Sequence, residues 1–332
     1  MSKSARSKPP APLVLVAPAR LQDFDEAGYL AANPDVAAAL AKGHVPSGLE
    51  HFRHYGQHEA RLMRLTEAEA ALPARQRRKM ARVEKLLDLS LPHRRRGAKF
   101  DFLTDELRAE AHIVETTAVS ANPYDENVMA LIESVPDGII LDCGAGKRSV
   151  YFDNVVNFEI VDYDSTDVIG VGERLPFKAD AFDAVISIAV LEHVRDPFRC
   201  AAEIARVLKP GGRLLCCVPF LQPEHGYPRH YYNMTRQGLR ALFEGRLVIE
   251  DHRVVRSTLP IWSLTWFVQS WAQGLPEQAR AEFLDLRLGD LMASPASFLD
   301  RSWVSQLSPE KTFELASATM LFARKPLADS AR

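Results

Sequence analysis

The densest chemical signal in the sequence is Ile139-Ile140-Leu141-Asp142-Cys143-Gly144-Ala145-Gly146, an apolar run closed by an acid and two spaced glycines. Glycines at positions 144 and 146 let backbone N–H groups approach a ligand closely, at a helix opening that favours negative charge. A second acid, Asp162, follows the next apolar run. At the end of a strand, such a carboxylate can accept hydrogen bonds from both hydroxyls of a ribose. Further on, Phe220–Thr235 is dense in aromatic rings and carries His225 and His230, while His193 stands earlier in a Leu-Glu-His-Val run. Imidazoles are the usual general bases near neutral pH, so His225, His230 and His193 are, in that order, the candidates for taking a proton.

These residues need elements to hold them. Ile139–Asp142, Val156–Asp162, Phe182–Ile188 and Arg213–Val218 read as buried strands, alternating with amphipathic helices. That alternation predicts an α/β fold with a doubly wound, mostly parallel sheet. Asp196 and Pro197 open the helix before the last of these strands, and Lys209-Pro210-Gly211-Gly212 closes it. Phe198, Ala201, Ile204, Ala205 and Leu208 are expected to face the sheet. Residues 1–20 read as a flexible tail and 21–65 as a small all-α module, in which Asn33 and Ser47 cap helices and Gly43 and Gly56 end them. Phe24, Tyr29, Leu30, Val36, Leu40, Phe52 and Tyr55 are its expected core. The basic stretch 66–110, with Arg94-Arg95-Arg96, reads as a solvated helical linker, or alternatively as a surface for an acidic partner. Trp262, Trp266, Phe267 and Trp271 recur at helical spacing in 259–308, a stripe expected to pack on the main domain.

Composition sets outer limits. The 332 residues are 47% hydrophobic and 25% charged, with a formal net charge of -2, so a strongly basic nucleic-acid-binding domain is not expected. The four cysteines form no disulfide framework and no metal-ligand spacing, which suits a reducing compartment. With no signal or membrane-spanning stretch read, the expected place is the cytoplasm, extending to the inner face of the membrane.

Several motifs in fixed order carry a resemblance: Leu141–Gly146, Glu173–Phe177, Phe182–Ser187, Val190–Val194 and Ile204–Gly212. As a set they resemble the class I S-adenosylmethionine-dependent methyltransferases, of the kind called type 11. The resemblance implies a Rossmann-like, seven-stranded, mostly parallel sheet over 111–327, with Phe313–Lys325 as the final strand and 259–308 as a helical insertion. It implies S-adenosyl-L-methionine as cofactor, with Asp142, Cys143, Gly144, Ala145 and Gly146 at the methionine end and Asp162 at the ribose. Tyr163 would lie beside the adenine, Val171, Gly172 and Glu173 at the adenine edge, and Ser187 and Ile188 beneath the sulfonium. Lys147 and Arg148 replace the family's third glycine region, Val171 replaces a common acid, and the segment between Gly146 and the second strand leaves little more than one helical turn.

The stretch from Phe24 to Arg61 resembles a short helical module found beside bacterial glycosyltransferases. It implies a sugar or glycan acceptor, methylated on oxygen, and a contact with a membrane surface or a glycosyltransferase through residues 21–99. A small molecule or lipid-quinone acceptor is the alternative within the class, and a non-catalytic cofactor-binding scaffold the alternative outside it. A nicotinamide oxidoreductase would require G-x-G-x-x-G, whose sixth position here is Ser149.

Overall fold

The computed structural model describes residues 11–114, 120–226 and 229–321. They form two compact units, one running to Val218 and resuming through Glu250, the other made of Pro219–Gly226 and the chain from Asp251 onward.

In the first unit, β1 (Leu13–Val14) and β2 (Val16–Pro18) precede α1 (Glu26–Ala32), α2 (Pro34–Ala41), α3 (Gly48–His51) and β3 (Leu62–Arg64). Next come α4 (Thr66–Val83), a hairpin of β4 (Arg94–Arg96) and β5 (Lys99–Asp101), α5 (Asp105–Glu110) and α6 (Glu126–Glu133). The remainder is β6 (Ile140–Cys143), β7 (Val150–Tyr151), β8 (Val155–Glu159), β9 (Val168–Ile169), β10 (Phe182–Ile188), α7 (Pro197–Val207), β11 (Leu208–Cys217) and α8 (Arg236–Phe243). Seven strands form one sheet in the order β11-β10-β6-β8-β9-β5-β4, and only the β4–β5 pair is antiparallel.

Alternation along the strands builds a core on each face. Leu141, Val156, Val168 and Val185 pack with Met80, Val83, Ile204 and Leu242 on one side. Ile140, Val155, Ala184 and Ile186 pack with Val128, Leu131 and Ile132 of α6 on the other. Burying each such side chain stabilises by roughly 1.5–3 kcal/mol, so the sheet centre is held rigidly between helices.

Several expectations need correction. The sixth and seventh strands come from β5 and β4, not from Phe313–Lys325. Pro309–Glu314 is helical, residues 315–321 form no strand, and 322–325 lie outside the described residues. The basic run is therefore no helix at Arg94–Arg96. It forms an exposed edge strand, where charge discourages pairing with other chains. Arg94 and Arg96 both bond the buried Asp101, Arg95 pairs with Glu84, and Gly97 makes the turn at φ +63°.

Nor is α4 a solvated connector. It buries Leu72, Gln76, Lys79, Met80 and Val83. Residues 11–20 are no loose tail: Leu13–Val14 pairs with Val150–Tyr151, Val16–Pro18 pairs with Leu62–Arg64, and Leu15 is buried. The β2–β3 pair also makes the 21–65 region α plus β instead of all-α. Tyr29, Val36 and Phe52 form its core with Met63, whereas Tyr55 is exposed. Ser47 caps α3 as expected, but the Asn33 side chain donates to Tyr29 O and Leu62 O instead of capping α2. On α7, Asp196 caps and Cys200, Ala201, Ile204 and Val207 are buried, while Phe198 in the first turn is 57% exposed.

The second unit holds α9 (Pro260–Gln273), α10 (Glu277–Leu284), α11 (Ser302–Ser305) and α12 (Pro309–Glu314). It has a core of its own, in which Leu275, Ala279, Phe283 and Trp303 gather with Trp271. The tryptophan stripe is split, since Trp271 joins that core and Trp262 is 62% exposed.

Candidate functional site

β6, β8, β10 and β11 run parallel, so their carboxyl ends share one edge of the sheet, where open α/β sheets bind ligands. Asp142 lies there, buried. Its Oδ2 accepts from Arg148 Nε at 2.9 Å and Nη2 at 2.6 Å, and from the Tyr124 hydroxyl. The Arg148 guanidinium also covers the Tyr124 ring at 4.0 Å. Burial, then the Asp142 charge, pushes the Tyr124 hydroxyl far above its ordinary value, so it remains a donor. Asp142 Oδ1 is buried with no hydrogen-bond partner among the described residues.

Gly144 and Gly146 sit at φ +84° and +63°, a region costly to residues with a Cβ. A Cβ on Gly144 would stand 2.4 Å from Val190 Cγ2, and one on Gly146 2.7 Å from Ser120 O. The loop amides are turned to protein acceptors. Gly144 N and Ala145 N donate to Phe158 O, Gly146 N to Glu159 Oε2 at 2.7 Å, and Lys147 N to Ser120 O at 2.7 Å. No helix follows Gly146; the chain enters β7 directly.

The acid at the end of the second central strand is Glu159, not Asp162. β8 stops at Glu159, whose carboxylate is buried and accepts from Gly146 N and Ile160 N. Burial raises its pKa despite those hydrogen bonds. The Val161 amide bears on the same carboxylate, which leaves about one acceptor site open. Asp162 lies beyond the strand end, in ion pairs with Lys99 at 2.7 Å and Arg96 at 3.5 Å. The apolar pattern runs on through Ile160 and Val161 after strand pairing has ceased, which carries the expected strand end past Glu159 to Asp162. Tyr163 is buried nearby, and its hydroxyl accepts from Ser120 N at 3.3 Å.

The remaining expected positions cluster at the same edge. Pairing of Ile186 with Asp142 places Ser187 and Ile188 just past the acid on the neighbouring strand. Ser187 is buried, and among the described residues its Oγ makes no hydrogen bond to another oxygen or nitrogen. Cys143 and Ala145 are buried. Val171 packs with Leu103 and Ile169, so only its backbone is available to a ligand. Gly172 opens a short helical turn, and Glu173 Oε1 accepts from Arg195 N at 3.1 Å.

Glu192 went unrecognised in the sequence. It is 0% exposed, among the described residues no other residue hydrogen-bonds either carboxylate oxygen, and burial pushes its pKa up to about 8. His193 Nε2 lies 3.8 Å from Glu192 Oε1. Because His193 Nδ1 donates to Arg229 O at 2.7 Å, Nε2 is its basic nitrogen. The His230 ring stands 5.8 Å from that of His193. The structure thus brings His193 and His230 together. His225 belongs to the second unit, where its Nδ1 donates to Pro223 O and its ring packs against Trp266. Tyr124 and Arg148 also escaped notice, since no motif spacing marks them; Glu159 was visible as an acid within the apolar run.

Residues 143–216 match the family described as methyltransferase domain. A demethylmenaquinone methyltransferase of Renibacterium salmoninarum is 32% identical over 132 residues, covering 35% of this chain and 54% of that protein. An uncharacterized 37.1 kDa protein of a Streptomyces fradiae transposon is 31% identical over 125 residues, covering 34% of this chain and 36% of that one. The chain therefore spans only about a third to a half of these relatives' lengths. Among solved structures, an S-adenosylmethionine-dependent methyltransferase of Thermotoga maritima is similar at 21% identity, covering 36% of this chain and 68% of that one, with a TM-score of 0.27. The central segment, residues 143–216, is thus similar to a methyltransferase domain.

Proposed function

We propose that the protein transfers a methyl group from S-adenosylmethionine to an oxygen of a sugar or glycan intermediate in surface-polysaccharide assembly. One observation carries the catalytic part: Asp142 Oδ1 and Ser187 Oγ, at the carboxyl ends of β6 and β10, and the Glu192 carboxyl, in the loop after β10, are buried without hydrogen-bond partners among the described residues. Such atoms are costly unless a ligand or water meets them. They fit the cofactor, with Glu159 toward the ribose hydroxyls and Asp142 and Ser187 toward the methionine portion. Bound there, S-adenosylmethionine supplies a methyl group activated by a positively charged sulfur. The chain's own residues orient the acceptor, and His193 Nε2 takes the proton that an alcohol must lose, with His230 beside it.

The glycan part is supported by the resemblance of the Phe24–Arg61 stretch to modules beside glycosyltransferases. A peripheral contact through residues 21–99 belongs to the same proposal. Arg77, Arg78 and Arg82 of α4 are exposed and carry no ion pair among the described residues, whereas Arg94, Arg95 and Arg96 each pair with an acid. No described helix is long and apolar enough to cross a membrane. The similarity to demethylmenaquinone methyltransferases supports a second reading, in which the acceptor is a lipid quinone.

Calorimetry with S-adenosylhomocysteine tests the cofactor site, and absence of binding by folded protein would overturn it. Incubation with methyl-labelled cofactor and separated glycan and lipid fractions tests the acceptor. Label in glycan supports the first reading, and label in quinone replaces it with the second.

A further inference from the structure

A shallow, largely open depression of the first unit, apart from the cofactor residues, is lined by Asp105, Arg108, His112, Ile113, Val114 and Arg229. Its walls leave the same edge of the sheet. Arg108 and His112 follow β5, which runs parallel to β9, and Arg229 follows β11, which runs parallel to β10. His112, held at φ +55°, accepts at Nε2 from Arg195 Nη1 at 3.0 Å, in the loop after β10. An arginine can only donate, so Nε2 is unprotonated and the proton of a neutral His112 ring sits on Nδ1. Arg108 and Arg229 have no ion-pair partner among the described residues, and Asp105 is the one carboxylate in the lining. The depression thus presents two guanidinium groups and an imidazole against a single acid.

We infer that this depression binds the acceptor through an anionic group, a carboxylate or a phosphate, held by Arg108 and Arg229. Guanidinium forks match both anions in geometry, and Asp105 can accept from a neighbouring hydroxyl of the same molecule. The depression adjoins the reacting groups through Arg229, whose carbonyl accepts from His193 Nδ1 at 2.7 Å. An acceptor anchored by its charge on Arg108 and Arg229 would lie beside the histidine that takes its proton. The inference names the acceptor's chemistry and so rests on the methyl-transfer reading, but its binding step can be measured without turnover.

The test uses the full chain, with and without saturating S-adenosylhomocysteine, titrated calorimetrically with glucuronate, glucose 1-phosphate and uncharged glucose. Binding of either anion, with glucose at least tenfold weaker, is the expected result. A preference between the two anions identifies carboxylate or phosphate. R108Q and R229Q should each weaken anion binding by about tenfold or more, while binding of S-adenosylhomocysteine and the melting midpoint stay unchanged. Anions that bind no better than glucose, or binding unaltered in the double variant R108Q/R229Q, overturn the inference. Loss of S-adenosylhomocysteine binding in the wild type would instead overturn the methyl-transfer reading, with the anion titration still read on its own.

Discussion

Substituting Lys79 tests whether α4 is built into the domain core. Its ammonium is buried, 2.5 Å from Asp167 Oδ2, 2.5 Å from Val155 O, 3.1 Å from Phe152 O and 3.6 Å from the Tyr151 ring centre. Asp167 is equally buried and also accepts from the Tyr151 hydroxyl and from Asn157 N. In Lys79→Met the aliphatic stem stays packed, but a buried carboxylate and two carbonyls lose their cation. Removing one partner of a buried pair costs about 3–5 kcal/mol. For a domain of this size that lowers the melting midpoint by roughly 6–20 °C, at about 2–4 °C per kcal/mol. Asp167→Asn in the same chain removes the stranded charge. Its amide oxygen can still accept from Asn157 N, with the amide NH2 turned to the Tyr151 oxygen. The double variant should therefore be more stable than Lys79→Met alone. Circular dichroism melts of the wild type, both single variants and the double variant make the measurement. A Lys79→Met midpoint within 2 °C of wild type, or single effects that merely add in the double variant, would refute the reasoning.

Three further outcomes are expected. Glu159→Gln should weaken S-adenosylhomocysteine binding by about tenfold or more, whereas Asp162→Asn should stay within about twofold, because Asp162 is occupied by Lys99 and Arg96; calorimetry separates the two. Arg148→Met strips Asp142 of its two charged hydrogen bonds and should cost about 3–5 kcal/mol in denaturant unfolding. The folded-state pKa of Glu192, about 8, exceeds that of an unfolded glutamate, so the folded state holds this proton more tightly. Its contribution is full below about pH 4.3 and is lost as pH rises toward 8. Unfolding midpoints at pH 5, 7 and 9 should fall less steeply in Glu192→Gln than in wild type, and equal slopes would contradict the assignment.

What could be read in the sequence follows from how far each signal reaches. The central strands and the start of α7 were legible because buried parallel strands leave continuous apolar runs and because Asp196-Pro197 marks a helix opening, whereas Lys209–Gly212, expected to close the helix, falls inside β11 after α7 has ended at Val207. The Asp162 error has a local cause: Ile160 and Val161 prolong the apolar run, while the chain after Glu159 turns through Thr166, whose hydroxyl bonds Val161 O. Arg94–Arg96 was illegible because three like charges fit a helix or an edge strand equally well. Only the pairing across Gly97, with Asp101 buried beneath, decides it. Lys79 shows the same limit, since a basic residue reads as solvated until its buried partner Asp167 is seen.

The glycine loop carries the last consequence. Four successive amides, Gly144 to Lys147, already donate to protein acceptors, so a ligand gains little from them without displacing those bonds. Arg148, in the region where the family places a further glycine, instead closes on Asp142 and fixes one oxygen of that acid while leaving the other unpartnered. Under the proposed reading, recognition thereby shifts from backbone to side chains. In the proposed binding mode, one oxygen of Asp142, Ser187 Oγ and the open acceptor site of Glu159 are the groups that meet the cofactor. Each is buried and rigidly placed by a central strand, so little ordering entropy remains to be lost on binding. A loop lacking the family's third glycine can then hold the same ligand, provided these acids stay in place, and for that reason Glu159→Gln discriminates more sharply than any change in the glycines.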